Sequence, residues 1–169
     1  MLSILAFVVL GLPILVLLYW LHFPVQAYFR ITIDPFWTAV LALAVVNTVI
    51  VSEDVVNVLN DFPSQYIAAA KVCGMSRMEI ITRIQAPLVL RQVLPALLKT
   101  QVYMLQATLF ASLISVQEIF RVAQSINAQE YRPVEVYSTL AIFFLCICLP
   151  LNGLAIWLRH RFTRDTSEV

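Results

Sequence analysis

Four long stretches without a charged residue constrain the fold of this chain more than any other feature. Asp, Glu, Lys and Arg are absent from Met1–Phe29, Pro35–Ser52, Thr100–Gln117 and Val136–Leu158, each at least 18 residues long. A helix needs about 20 residues to cross the hydrocarbon core of a bilayer, and barrel strands are much shorter. The runs predict an all-α integral membrane protein, one domain over residues 1–169, with four transmembrane helices near 3–22, 36–55, 98–117 and 136–158.

The composition agrees with a membrane protein and excludes several functions. Hydrophobic residues make up 61% of the chain and charged residues 12%, whereas soluble domains are about half apolar and a quarter charged. The net charge of +1 gives no reason to expect nucleic acid as a partner. Only three glycines occur, Gly11, Gly74 and Gly153, so the glycine-rich loop of P-loop ATPases is missing. The chain is not expected to be an enzyme.

The cysteines and histidines predict no disulfide, metal centre or cofactor. Cys146 and Cys148 lie two residues apart in a predicted helix, so they point to roughly opposite faces. Cys73 is expected in the reducing cytosol. His22 and His160 lie at membrane edges, without an apparent partner at the same depth.

The distribution of Lys and Arg predicts the orientation, because cytoplasmic loops carry an excess of both. Five lie between the second and third charge-free stretches and three follow the fourth, against three on the opposite side. The central segment and both termini are therefore expected in the cytosol. Trp20, Trp37 and Trp157 fall near helix ends, where interfacial aromatic residues are enriched.

The central segment, about residues 60–95, begins with helix-start and helix-stop signals. Asp61 or Ser64 is expected to cap a short helix, with Pro63 in its first turn. That helix should end at Gly74, since glycine readily takes the left-handed conformation that ends many helices.

A second helix should follow the glycine turn. The sequence from Ser76 to Glu79 has the capping-box pattern, and Pro87 and Pro95 are expected to break or kink the chain beyond it. Two interpretations of the whole segment stay open: a surface gripped by a cytosolic partner, or an ordinary solvated loop that packs on the chain's own helices.

Polar residues inside the predicted membrane helices are candidates for a translocation path, because such residues are rare in lipid and often functional. The alternative is interhelical hydrogen bonding, worth about 0.6 kcal/mol per bond on average. The candidate path residues are Asn47, Thr48, Glu53, Gln106, Thr108 and Ser112.

The order and spacing of several motifs resemble the permease subunits of polar-amino-acid ABC importers, of the histidine/glutamine type. The resemblance covers about residues 10–160. It rests on Pro35-Phe36-Trp37 with Glu53, on Ala68-Ala69-Ala70 with Gly74-Met75-Ser76, on Pro87 and Leu94-Pro95, on Ala111-Ser112 with Glu118, and on Tyr131-Arg132-Pro133-Val134-Glu135-Val136-Tyr137.

The resemblance implies a type I importer permease in the bacterial inner membrane. Its expected partners are an ABC ATPase subunit, a second permease subunit, an extracytoplasmic solute-binding protein and the lipid bilayer. The residues that would couple it to the ATPase are Ala68, Ala69, Ala70, Lys71, Gly74, Met75, Ser76 and Arg77.

Several departures from the family pattern lead to competing hypotheses. Ala68 stands where the family has a coupling Glu, Gln106-Ala107 replaces a Lys-Asp pair, and Val56 replaces an Arg. The helix that usually leads the family is also expected to be missing. The chain could be the less active half of a heterodimer, a non-transporting scaffold or regulatory subunit, or an inactive truncated relative.

Overall fold

A computed structural model describes Phe7 and residues 9–163. Six helices, numbered α1 to α6 here, form most of this part of the chain, and no strand occurs in it. They are α1 (Ile14–Phe29), α2 (Pro35–Asn60), α3 (Ser64–Val72), α4 (Arg77–Ile114), α5 (Ile119–Glu130) and α6 (Pro133–Thr163).

The all-helical membrane class predicted from the sequence is confirmed. Three of the described helices, α2, α4 and α6, are long and apolar enough to cross a bilayer, and α1 is a shorter apolar helix. The first predicted span, near 3–22, lies partly outside the described residues. Within them it is interrupted at Leu12-Pro13, and α1 then continues to Phe29, beyond the predicted end.

Of the break or kink expected at Pro87 and Pro95, the break does not occur. Both lie within the continuous, 38-residue helix α4. A segment of wider π-type turns, Ile80–Gln85, precedes Pro87, and α1 has a similar segment around Pro24. Proline lacks an N–H and crowds the carbonyl four residues earlier, and a wider turn accommodates both effects without ending the helix.

The described chain divides into two compact units. Unit 1 comprises the described residues of Met1–Ile50 and Thr100–Pro150, and unit 2 those of Val51–Lys99 and Leu151–Val169. In unit 1, small side chains let helices approach closely: Ala42 is fully buried and packs in one cluster with Leu18 and Ile114. Such close approach is how helices associate in membranes, where lipid is as apolar as leucine.

A buried polar network joins the end of α1 to the start of α2 in unit 1. Gln26 Nε2 donates to Thr38 Oγ1 at 3.0 Å, and Gln26 Oε1 accepts from the Ile33 backbone N–H at 2.7 Å. His22 Nδ1 lies 3.4 Å from Thr38 Oγ1. His22 therefore has polar partners that the sequence did not reveal, and the network fixes the connection between the two helices.

Unit 2 has a separate core that anchors α3. Phe62, Val89 and Val93 are buried together, and Ile67 of α3 packs against them. Because Val89 and Val93 are four residues apart, they share a face of α4. This core holds α3 beside the beginning of α4 and leaves the other side of α3 open.

Candidate functional site

The two faces of α3 differ in exposure. Ala70 is only 4% exposed and faces inward, as does the partly buried Ile67. Ala68 and Ala69 are exposed, and Val72 is 89% exposed. Ala70 was predicted to contact the ATPase together with its two neighbours. Its burial instead makes it a packing residue, because residues three apart such as 67 and 70 lie on one side of a helix.

The turn after α3 is built around Gly74. The Gly74 N–H donates to the Lys71 carbonyl at 3.0 Å, and the Met75 N–H donates to the Ala70 carbonyl at 3.1 Å. Gly74 has φ +78°, in the left-handed region. These bonds form a Schellman motif, which satisfies carbonyls at the end of the helix, and the predicted stop at Gly74 is confirmed.

The start of α4 carries the predicted capping box. Ser76 Oγ accepts from the Glu79 backbone N–H at 3.4 Å, and Glu79 Oε2 accepts from the Ser76 backbone N–H at 3.0 Å. These bonds from the Ser76 backbone and hydroxyl lower the pKa of Glu79, which lies before the apolar part of α4. At the start of α3 the prediction is wrong: Pro63 is the N-cap, and no side chain caps that end.

The end of α3, the turn after it and the start of α4 therefore form one surface, which we name the tip. The tip consists of the exposed residues Ala68, Ala69, Lys71, Val72, Ser76, Arg77 and Met78, with the partly buried Met75. Its apolar members offer contact area and its two cations offer charge. Such a surface, held rigidly by two capping motifs, is suited to binding another protein rather than to chemistry.

The candidate path residues are brought together only in part. In unit 1, Gln101 Nε2 donates to Asn47 Oδ1 at 3.2 Å, which joins α2 to α4. Gln106 Nε2 lies 3.7 Å from the Sγ of Cys148, which joins α4 to α6. Only the fold reveals that Gln101 and Cys148 face these partners.

The remaining path candidates bond to their own helices or lie elsewhere. Thr48 donates to the Ala44 carbonyl and Thr108 to the Leu105 carbonyl, both at 2.7 Å. Ser112 is 1% exposed and donates to the Leu109 carbonyl, so it cannot face a solute in this conformation. Glu53 is exposed and belongs to unit 2.

The described residues hold no group of three or more His, Cys, Asp or Glu side chains arranged to bind a metal ion. What they do provide is a set of membrane-crossing helices and a rigid, exposed tip. Together these features define a helical membrane protein with an exposed turn, capped on both sides, between a short helix and a membrane-crossing helix.

Residues 1–165 match the family described as the binding-protein-dependent transport system inner membrane component. The chain belongs to this family of ABC transporter permeases, in which the ATPase is a separate subunit.

Curated relatives and a solved structure agree with this assignment. The octopine transport system permease OccM of Rhizobium radiobacter is 29% identical over 94% of this chain and 70% of its own length. The glutamine transport system permease GlnP of Escherichia coli K12 is 30% identical over 91% of this chain and 71% of its own length. The crystal structure of an amino acid ABC transporter with histidines gives a TM-score of 0.85 at 25% identity, covering 94% of this chain and 74% of that one.

Proposed function

We propose that this chain is the permease subunit of an ATP-driven importer for amino acids or related polar solutes. Family membership supports the transport role. Relatives named for glutamine, octopine, L-cystine and basic amino acids support the solute class. The observation that carries the coupling role is the tip, because its apolar side chains are exposed on a segment that two capping motifs hold rigid.

The tip is the proposed contact for the ATPase. When nucleotide closes the ATPase, a docked tip would move α3 and the beginning of α4 as levers. A short rigid helix transmits such a movement, whereas a flexible loop would absorb it. The core formed by Phe62, Val89 and Val93 supports this role, because it ties the tip to the body of α4.

The remaining partners and the orientation follow from the same proposal. The tip and both termini lie on the cytosolic side of the bacterial inner membrane, as the excess of Lys and Arg there favours. A solute-binding protein delivers the solute from the opposite side. A second permease subunit completes the pathway, and the loss of charged positions relative to the family favours a heterodimer.

Asn47, Gln101 and Gln106 are the proposed polar groups of the pathway. An amino acid loses hydration when it enters the membrane, so its charged ends need hydrogen-bonding partners there. Asn47 and Gln101 already bond across two helices in unit 1. An amide pair can exchange this bond for bonds to a passing solute.

The decisive experiment is reconstituted uptake. The chain, tagged at its C-terminus, is extracted in mild detergent with its co-purifying subunits and placed in proteoliposomes. We expect an ATPase to co-purify and a panel of radiolabelled amino acids to include one that accumulates only with ATP. Co-purification with membrane proteins alone, and no ATP-dependent uptake, would favour the scaffold hypothesis instead.

Replacing Asn47 with Leu should impair uptake more than it impairs stability. The change removes the acceptor of the Gln101 bond, a loss of about 0.6 kcal/mol in a membrane helix pair. If Asn47 also contacts the solute, the apparent affinity or rate should fall about tenfold, as for a contact worth about 1.4 kcal/mol. Kinetics of initial uptake measure this effect.

Thr139→Val provides the matched control, because the Thr139 hydroxyl bonds the Glu135 carbonyl of its own helix and Thr139 is not a candidate path residue. Its uptake should stay within about twofold of the unmodified protein, a change below 0.5 kcal/mol. Uptake by Asn47→Leu equal to that of the control would remove Asn47 from the pathway.

A further inference from the structure

Unit 2 contains a cavity of about 540 Å³ that the coupling role does not use. One wall is the face of α4 from Gln92 to Lys99, and another is the face of α6 from Asn152 to Arg159. On both helices the lining positions follow the spacing i, i+3, i+4 and i+7, so each wall is a single helical face. The end of α2 closes the cavity.

Small apolar side chains create the space between these walls. Ala96 lies on the α4 wall and Ala155 on the α6 wall, beside the buried ring of Pro95. Larger side chains at these positions would fill the volume. The cavity therefore offers an apolar surface on which a hydrocarbon chain can pack.

Charged side chains complete the same cavity. Lys99 and Arg159 provide two cations, and Asp61 provides one carboxylate. Among the residues that the structure describes, no carboxylate lies within 4 Å of the Lys99 ammonium group. A cation close to the membrane without an internal counter-ion is expected to extend toward the head-group region and bind an anion there.

The neighbouring side chains indicate that Arg159 lies at head-group depth. Trp157 is 53% exposed two residues earlier on α6, and the Arg161 guanidinium lies 5.3 Å from the centre of its ring. Tryptophan is enriched at the membrane–water interface, and cations that stack on it are favoured there.

We propose that this cavity is a binding site for a membrane phospholipid. The lipid phosphate lies between Lys99 and Arg159, its head-group ammonium or hydroxyl donates to Asp61, and an acyl chain covers Ala96 and Ala155. The charges favour a lipid over a helix of a second permease, because an apolar helix would bury Lys99 without a counter-ion. The proposal goes beyond transport and does not depend on which solute is carried.

Native mass spectrometry of the purified complex tests the proposal. After delipidation, the complex is titrated with dioleoyl phosphatidylethanolamine, with dioleoyl phosphatidylglycerol and with inorganic phosphate. We expect saturable binding of one phospholipid per chain. A basic residue that contacts the lipid head group is expected to contribute about fivefold to its affinity, so replacing both cations of the cavity lining, Lys99→Gln with Arg159→Gln, should weaken binding roughly 25-fold.

Two further variants separate the parts of the site. Arg161→Gln, on the same helix but outside the cavity lining, is the charge control and should bind within about twofold of the unmodified protein. Ala96→Phe keeps every charge but fills the groove, and it should abolish binding. Asp61→Asn should remove any preference for ethanolamine over glycerol.

Three outcomes would overturn the proposal. Equal lipid binding by the double variant and by Arg161→Gln would show that the cations do not hold the phosphate. Inorganic phosphate that binds as tightly as the lipids would show a free-anion site. A cross-link to the second permease subunit from a photoreactive thiol reagent attached at Ala96→Cys, absent from the unmodified protein, would show that a helix, rather than a lipid, fills the groove.

Discussion

Gly74→Pro should abolish coupling to the ATPase while the protein still inserts in the membrane. Proline requires φ near −65°, whereas Gly74 has φ +78° and donates its N–H to the Lys71 carbonyl. The turn cannot form, so α3 and the capping box at Ser76 lose their relative positions. A backbone cost of about 3 kcal/mol corresponds to roughly a hundredfold loss of the docking-competent conformation.

Gly74→Asn is the matched control for this prediction. Apart from its chain neighbours, no atom lies within 4 Å of a Cβ placed at Gly74, so the added Cβ meets no clash. Asparagine tolerates the left-handed region better than other residues with a side chain. Co-purified ATPase and ATP-dependent uptake are the measurements. Retained ATPase in Gly74→Pro would show that coupling does not need this turn.

Val72→Asp should weaken ATPase binding about 30-fold without changing the fold of the permease. Val72 is 89% exposed, so the free protein gains nothing from its burial. In a docked complex the new carboxylate would be desolvated within an apolar contact. A hot-spot residue at the centre of an interface contributes about 2 kcal/mol or more, which is about 30-fold in affinity.

Val72→Thr tests whether charge, rather than any change of side chain, causes the loss. Threonine keeps the branched shape of valine and adds only a hydroxyl, so it should bind the ATPase within about threefold of the unmodified protein. Pull-down of the ATPase over a concentration series gives both affinities. Equal binding by the Asp and Thr variants would place the docking surface elsewhere than the tip.

The tip was the part of the site that sequence patterns described well. Its turn and its capping box depend on contacts between residues three to five apart, such as Ser76 with Glu79 and Gly74 with Lys71. Local bonds of this kind leave clear patterns in the sequence. The inward orientation of Ala70 leaves no such pattern in the sequence, because it depends on which face of α3 meets the core of unit 2.

The polar groups inside the membrane helices were less predictable. Composition identified Asn47 and Gln106 as candidates, but their bonds to Gln101 and Cys148 join residues 54 and 42 positions apart. Pairing over such separations depends on how whole helices pack. The same reason explains why His22 had no evident partner before the fold placed Thr38 beside it.

The sequence by itself determined the helical membrane class, the two caps at the tip and the family, because apolar runs and short motifs carry that information directly. Tertiary structure alone decided which polar residues meet, which side of α3 stays exposed and where small residues open a cavity lined by Lys99 and Arg159. Side-chain packing between distant segments sets all of these features, and no local pattern encodes it.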